Sequence, residues 1–168
     1  RVVATCGTIL FAVDFMHLTQ TRIGTIDTYG VFYILLMYYF LYRWLTLAPG
    51  TSFRRCALPL FLSGLFWGIG AASKWTCIYA GAGLAVIWLI YWVTQRRREG
   101  FWRDFLSNCA FCLLFFVAVP CAIYYASYYF YGTARGLGGG VGMFFTEDYA
   151  KVVWDNQVYM WEYHSDLV

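Results

Sequence analysis

Five long apolar blocks, divided by short polar stations, organise this chain. Val2 to Leu18 forms the first, interrupted only near its end by Asp14 and His17, and Tyr29 to Leu47 forms the second. The second approaches the roughly 20 residues that cross a bilayer core. Leu58 to Ser73 and Thr76 to Val93 form the third and fourth, with Lys74 as the one charge between them, so the pair is expected to be a tight helical hairpin. The fifth runs from Phe105 to Tyr131 with Pro120 in its middle, and should kink there. Each block should be helical, because backbone in lipid has to satisfy its own hydrogen bonds. The fold class expected is all-α, a polytopic transmembrane bundle of about five spans, occupying residues 1–131.

Residues 132–168 read differently. Gly132-Thr-Ala-Arg-Gly-Leu-Gly-Gly-Gly-Val-Gly142 lacks the G-K-[ST] ending of a phosphate-cradling loop and follows no strand, so it is expected to be a flexible connection. From Asp148 onward Val153, Trp154, Val158, Met160 and Trp161 interleave with Asp155, Asn156, Glu162 and Asp166, the pattern of a helix lying in the membrane interface. A solvated amphipathic face is the plainer alternative.

Composition supports the membrane. Apolar types make up 61% of the 168 residues against 12% charged, far from the balance of an ordinary soluble domain. The 38 aromatics exceed what one small core buries and suit lipid faces and headgroup belts. A soluble enzyme, a disordered segment and a nucleic-acid module are excluded. The six cysteines lie in or beside apolar runs without a His at metal-ligand spacing, so packing is their expected role and no metal is required. Cys109 and Cys112 form a C-x-x-C, but on a lipid-buried helix where a thiolate is costly. The sequence opens at Arg1 with neither Met nor a signal-peptide pattern, and is expected to be an internal piece of a longer chain.

Arginine sets the topology. Arg54 and Arg55, with Arg43 just before them, lie between blocks two and three, and Arg96, Arg97, Arg98 and Arg103 lie between blocks four and five. Two spans separate these loops, so both fall on one side, which the positive-inside rule makes cytoplasmic. Residues 96–98 are then cytoplasmic, while residues 20–27, Lys74 and residues 132–168 are outside.

Nearly every unusual polar residue gathers on that outer side. Asp14 and His17, three apart, should share a helix face, as a pathway or site, or as a buried pair satisfying each other. Arg22 has the planar donor fork that grips phosphate, or else bridges to Asp27. Asp27 is placed to cap the second helix. Lys74 either serves a site or snorkels to the headgroups beside Trp75. Glu162 and His164 are expected to point to the aqueous face of the tail helix.

Three segments carry a resemblance: Asp14-Phe-Met-His-Leu-Thr-Gln-Thr-Arg-Ile-Gly-Thr-Ile-Asp27, the Lys74-Trp75-Thr turn, and Asn156-Gln157-x-x-Met160-x-x-Tyr163-His164-Ser165-x-Leu167. In order and spacing they resemble the middle region of the bacterial form of the dolichyl-phosphate-mannose protein mannosyltransferase family. The resemblance implies a GT-C fold glycosyltransferase in the bacterial plasma membrane. It would take a sugar, mannose, from a polyprenyl-phosphate carrier and pass it to a hydroxyl acceptor, protein Ser or Thr, on the outer face. It implies the lipid-linked sugar as donor substrate and no separate cofactor. Arg22 and Lys74 would neutralise the carrier phosphate, and Asp14, His17, Glu162 and His164 would orient sugar or acceptor. The family's catalytic acidic pair would lie upstream of Arg1, so no catalytic residue is assigned. The competing expectation is a transporter or flippase with an Asp14–His17 pathway, which needs polar residues near the bilayer midplane.

Overall fold

A computed structural model of the chain describes residues 1–47, 51 and 53–165, without the side chains of Phe53, Arg54 and His164. Asp166 and Leu167, which belong to the tail pattern, lie outside the described residues. The described residues are all-helical. In order come α1 (Val2–Ala12), α2 (Phe15–Arg22), α3 (Ile26–Leu45), α4 (Phe53–Ser73), α5 (Thr76–Gln95), α6 (Phe101–Leu113), a π-helical turn (Leu114–Ala118), α7 (Val119–Ser127), α8 (Tyr129–Ala134), a 3-10 turn (Val141–Phe145) and α9 (Glu147–Ser165).

Three stretches among the described residues are long and apolar enough to cross a membrane: Arg55–Ser73, Thr76–Gln95 and Phe101–Ala134. A fourth arises if α1 and α2 form one broken span, since they are bent by 54°. The expected five-span count is therefore three to four by length and composition. The difference lies in α3, a 20-residue helix as expected, which carries Asp27, Arg43 and five tyrosines and is not among these stretches. The first block is not one helix either. The backbone breaks at Asp14, whose side chain takes the His17 N–H and so starts a new helix.

Packing divides the chain into two compact units, Arg1–Pro120 and Cys121–Val168. In the first, Met37, Leu41, Trp44, Leu60, Leu84 and Trp92 form the buried core. Glycine lets its helices approach. A methyl on Gly64 would run into the main-chain carbonyl of Phe115, and one on Gly81 into the Trp67 ring. Phe115 lies within the π-helical turn just before Pro120. Proline has no N–H for the carbonyl four residues back and its ring crowds that carbonyl; beside the kink expected at Pro120, the helix carries a widened turn at Leu114–Ala118.

The second unit closes around Met143, Tyr149 and Val153, with Tyr125, Tyr128, Tyr129, Leu137 and Phe144 against them. The apolar run ends at residue 131, but its last tyrosines pack with the tail, which is why the compact division falls earlier. The glycine-rich segment is more structured than a flexible connection. Its first residues complete α8 and its last begin the 3-10 turn, while Gly136, Gly138 and Gly140 take the positive φ values that side chains resist.

Candidate functional site

Three groups of the expected site residues can be followed. The first is the end of the 1–120 unit where α3 begins and α4 turns into α5. Thr25, extended, is the N-cap of α3, so Asp27 stands inside the first turn rather than at the cap. Its carboxylate is joined to the Lys74 ammonium in an ion pair, with side-chain exposures of 36% and 33%. Asp27 thus pairs with Lys74 and not with Arg22, and Lys74 is not a free snorkelling cation. Small residues bring the three helices together beneath the pair. Cys77, fully buried, directs its thiol at the Gly30 carbonyl at 3.6 Å, and a methyl on Gly70 would stand 3.1 Å from Cys77 Sγ and from Tyr33 Cβ. Trp67 Nε1 donates to the Cys77 carbonyl at 3.1 Å. Thr28, beside Asp27, has a buried hydroxyl with no partner among the described residues.

The second group is α2. Asp14 is exposed and accepts the His17 main-chain N–H at 2.8 Å, while the His17 ring packs 4.3 Å from that of Phe11. The two side chains therefore do not form the shared-face pair expected from their spacing, because Asp14 sits at the cap where its carboxylate serves the backbone. Arg22 ends α2, exposed, and its guanidinium has no ion pair or hydrogen bond among the described residues.

The third group lies in the 121–168 unit. Gln157 joins α9 to α7 and α8: its amide donates to Tyr128 OH at 3.0 Å and its carbonyl oxygen accepts from Tyr124 OH at 3.2 Å. Tyr149 is fully buried and donates to the Tyr125 carbonyl at 2.6 Å. Burial, with Tyr125 adding to it, pushes the Tyr149 phenol above its ordinary value. Glu162 is exposed on α9. The expectation for His164, two residues on, falls on a side chain outside those described. Gln157 and Tyr149 were not among the expected site residues. Gln157 stood in the Asn156-Gln157 segment that carries the resemblance, whereas nothing in the local sequence distinguishes Tyr149 from the other tyrosines.

Within the 1–120 unit an apolar cavity of about 330 Å³ opens between the helices, walled by Leu41, Leu60, Trp67, Trp88 and Phe116 and floored by Gly81, Ala82 and Ala85. Its polar atoms are already engaged: Trp88 Nε1 donates to Asn108 Oδ1 at 2.8 Å, and Cys112, also on the wall, donates to the same oxygen at 3.6 Å. All six cysteines are free thiols, and no metal-holding cluster occurs among the described residues. No family model matches the chain, and no curated protein or solved structure is similar to it.

Proposed function

We propose that this chain is part of a GT-C type membrane glycosyltransferase. In this reading it moves mannose from a polyprenyl-phosphate carrier to the hydroxyl of a protein Ser or Thr, on the outer face of a bacterial plasma membrane. The bent α1–α2 pair and α3 count with the three apolar stretches as its five spans. The observation that carries the reading is Lys74, a cation on the turn of an apolar hairpin, held in place by Asp27 from the next helix. A carrier phosphate is the leaving group, so negative charge grows on it as the glycosidic bond breaks. A pre-placed ammonium stabilises that charge without reorganising in the transition state. Asp27 keeps Lys74 oriented while the site is empty, and the phosphate replaces Asp27 as its counter-ion.

Arg22, exposed and unpaired, offers a second set of donors, two of them parallel and matched to a phosphate edge. The apolar cavity suits a prenyl segment, since the side-chain donors on its walls, Trp67, Trp88 and Cys112, already have acceptors within the unit. Exposed Glu162, with His164 nearby on α9, would orient sugar or acceptor. The base is not assigned to a residue of this chain. Nothing favours the transporter reading, since Asp14 is consumed as a helix cap.

The test uses membranes from cells expressing the whole gene, with polyprenyl-phosphate mannose and a Ser/Thr peptide. Lys74→Met keeps the aliphatic stem and removes the charge, and is expected to lower turnover by about 100-fold. Arg22→Lys is expected to lose most activity while keeping the charge. Near wild-type turnover and donor affinity in both variants would remove the phosphate-binding role.

A further inference from the structure

The opposite end of the 1–120 unit carries a different chemistry. Trp44 near the end of α3 lies 4.8 Å from Tyr91 and 6.5 Å from Trp92 near the end of α5, and Trp92 lies 5.8 Å from Phe101 at the start of α6. Cys56, in the first turn of α4, packs against the same cluster. Four helix ends therefore meet around one aromatic cluster. Seven of the chain's twelve basic residues are in or beside those ends, namely Arg43, Arg54, Arg55, Arg96, Arg97, Arg98 and Arg103, against only Glu99 and Asp104 among its nine acids.

Much of this charge has no counter-ion among the described residues. Asp104 is shared by Arg98 at 3.1 Å and Arg103 at 3.4 Å. Arg43, Arg55, Arg96 and Arg97 are exposed and have no ion pair among the described residues. Exposed Trp102, at 70%, and Tyr42, at 63%, border the same ends, as amphipathic rings do at the level of lipid headgroups.

We propose that these helix ends form a binding surface for anionic phospholipid headgroups, of the phosphatidylglycerol class. The charge fits a headgroup with a net negative phosphodiester rather than a zwitterionic one, whose phosphodiester carries its own ammonium. Each free guanidinium can take two oxygens of such a phosphate. The aromatic cluster fixes the depth, so the arginines meet headgroups and not acyl chains. The surface lies at the end away from Lys74 and owes nothing to the sugar-transfer reading, so either can fail alone.

The test titrates the detergent-purified full chain with phosphatidylglycerol or phosphatidylcholine and counts bound lipids by native mass spectrometry. The wild type should prefer phosphatidylglycerol by about tenfold. The variant R43Q/R55Q/R96Q/R97Q should fall to within about twofold of parity, while R135Q/K151Q, altered in the other unit, keeps the preference. Equal binding of the two lipids by the wild type, or an undiminished preference in the fourfold variant, overturns the proposal. So does complete displacement of phosphatidylglycerol by millimolar inorganic phosphate, which would mark a simple anion site. Should the fourfold variant fail to fold, the wild type in vesicles carries the test through quenching of its tryptophans by brominated phosphatidylglycerol. The excess quenching over brominated phosphatidylcholine should collapse at 0.5 M salt, as about a 3–4 Å screening length requires; salt-independent excess quenching counts against the proposal.

Discussion

In the 1–120 unit several side-chain donors end on main-chain carbonyls of facing helices, Tyr38 on Ala80 at 2.9 Å, Ser63 on Met37 at 2.8 Å and Trp67 on Cys77 at 3.1 Å, while Trp88 ends on the Asn108 side chain. In the 121–168 unit hydroxyls and amides also bond to one another, through Tyr124, Tyr128 and Gln157. Charge divides with the chemistry. Ten basic residues face four acids in the first unit, and two face five in the second. The first is built for a lipid solvent, where each donor needs an acceptor close by and glycine makes the distance short enough. The second takes in the end of the third apolar stretch and uses tyrosine, apolar along the ring and polar at the tip, to pack it against α9.

The largest expected effect breaks one unit and spares the other. Tyr149→Ala empties the middle of the 121–168 cluster and should cost about 3–5 kcal/mol, as for other buried aromatic truncations. Amide exchange should quicken across residues 121–165 and stay slow in α3, α4 and α5. Equal acceleration in both would mean that the division into units has no energetic meaning.

Next is Gly64→Ala. The added methyl meets a main-chain oxygen that a rotamer change cannot clear, so a loss of about 1–3 kcal/mol is expected, read as a lower melting temperature in detergent. Gly142→Ala enters open space and should change stability by less than about 0.5 kcal/mol. Similar melting temperatures for the two would contradict the close approach of α4 to the π-helical turn.

A smaller effect sharpens the contrast in hydrogen bonding. Ser63→Ala removes a fully buried donor from Met37 and should cost about 0.6 kcal/mol, the usual size of such bonds between membrane helices. The smallest is a pH slope. Tyr149 has a folded-state pKa above its ordinary 10.0, so its contribution is complete below that value and declines as pH rises beyond it. Tyr149→Phe should flatten that part of the alkaline slope of unfolding; an unchanged slope would assign it to other tyrosines.

Much of this was legible in the sequence where one residue type has one physical use. The apolar blocks marked most of the helices, and Lys74 marked the hairpin turn. Pairings were less legible, because they depend on what a neighbouring helix presents. Asp14 lay at a helix start that reading Val2 to Leu18 as one span concealed, so its carboxylate went to the His17 N–H. Asp27 met Lys74, 47 residues away, in place of nearby Arg22, because α3 packs against the hairpin. Tyr149 could not be singled out among 15 tyrosines, since its importance comes from the cavity it fills.

Everything proposed about sugar transfer requires the Lys74 end and the arginine end to face opposite sides of the membrane, with Lys74 outside. Single cysteines at Trp75 and Arg97, in a background without the six native thiols, can be exposed to an impermeant maleimide on intact cells. Labelling at position 75 and protection at 97 until the cells are opened is the predicted result. Labelling at 97 with protection at 75 would contradict the account.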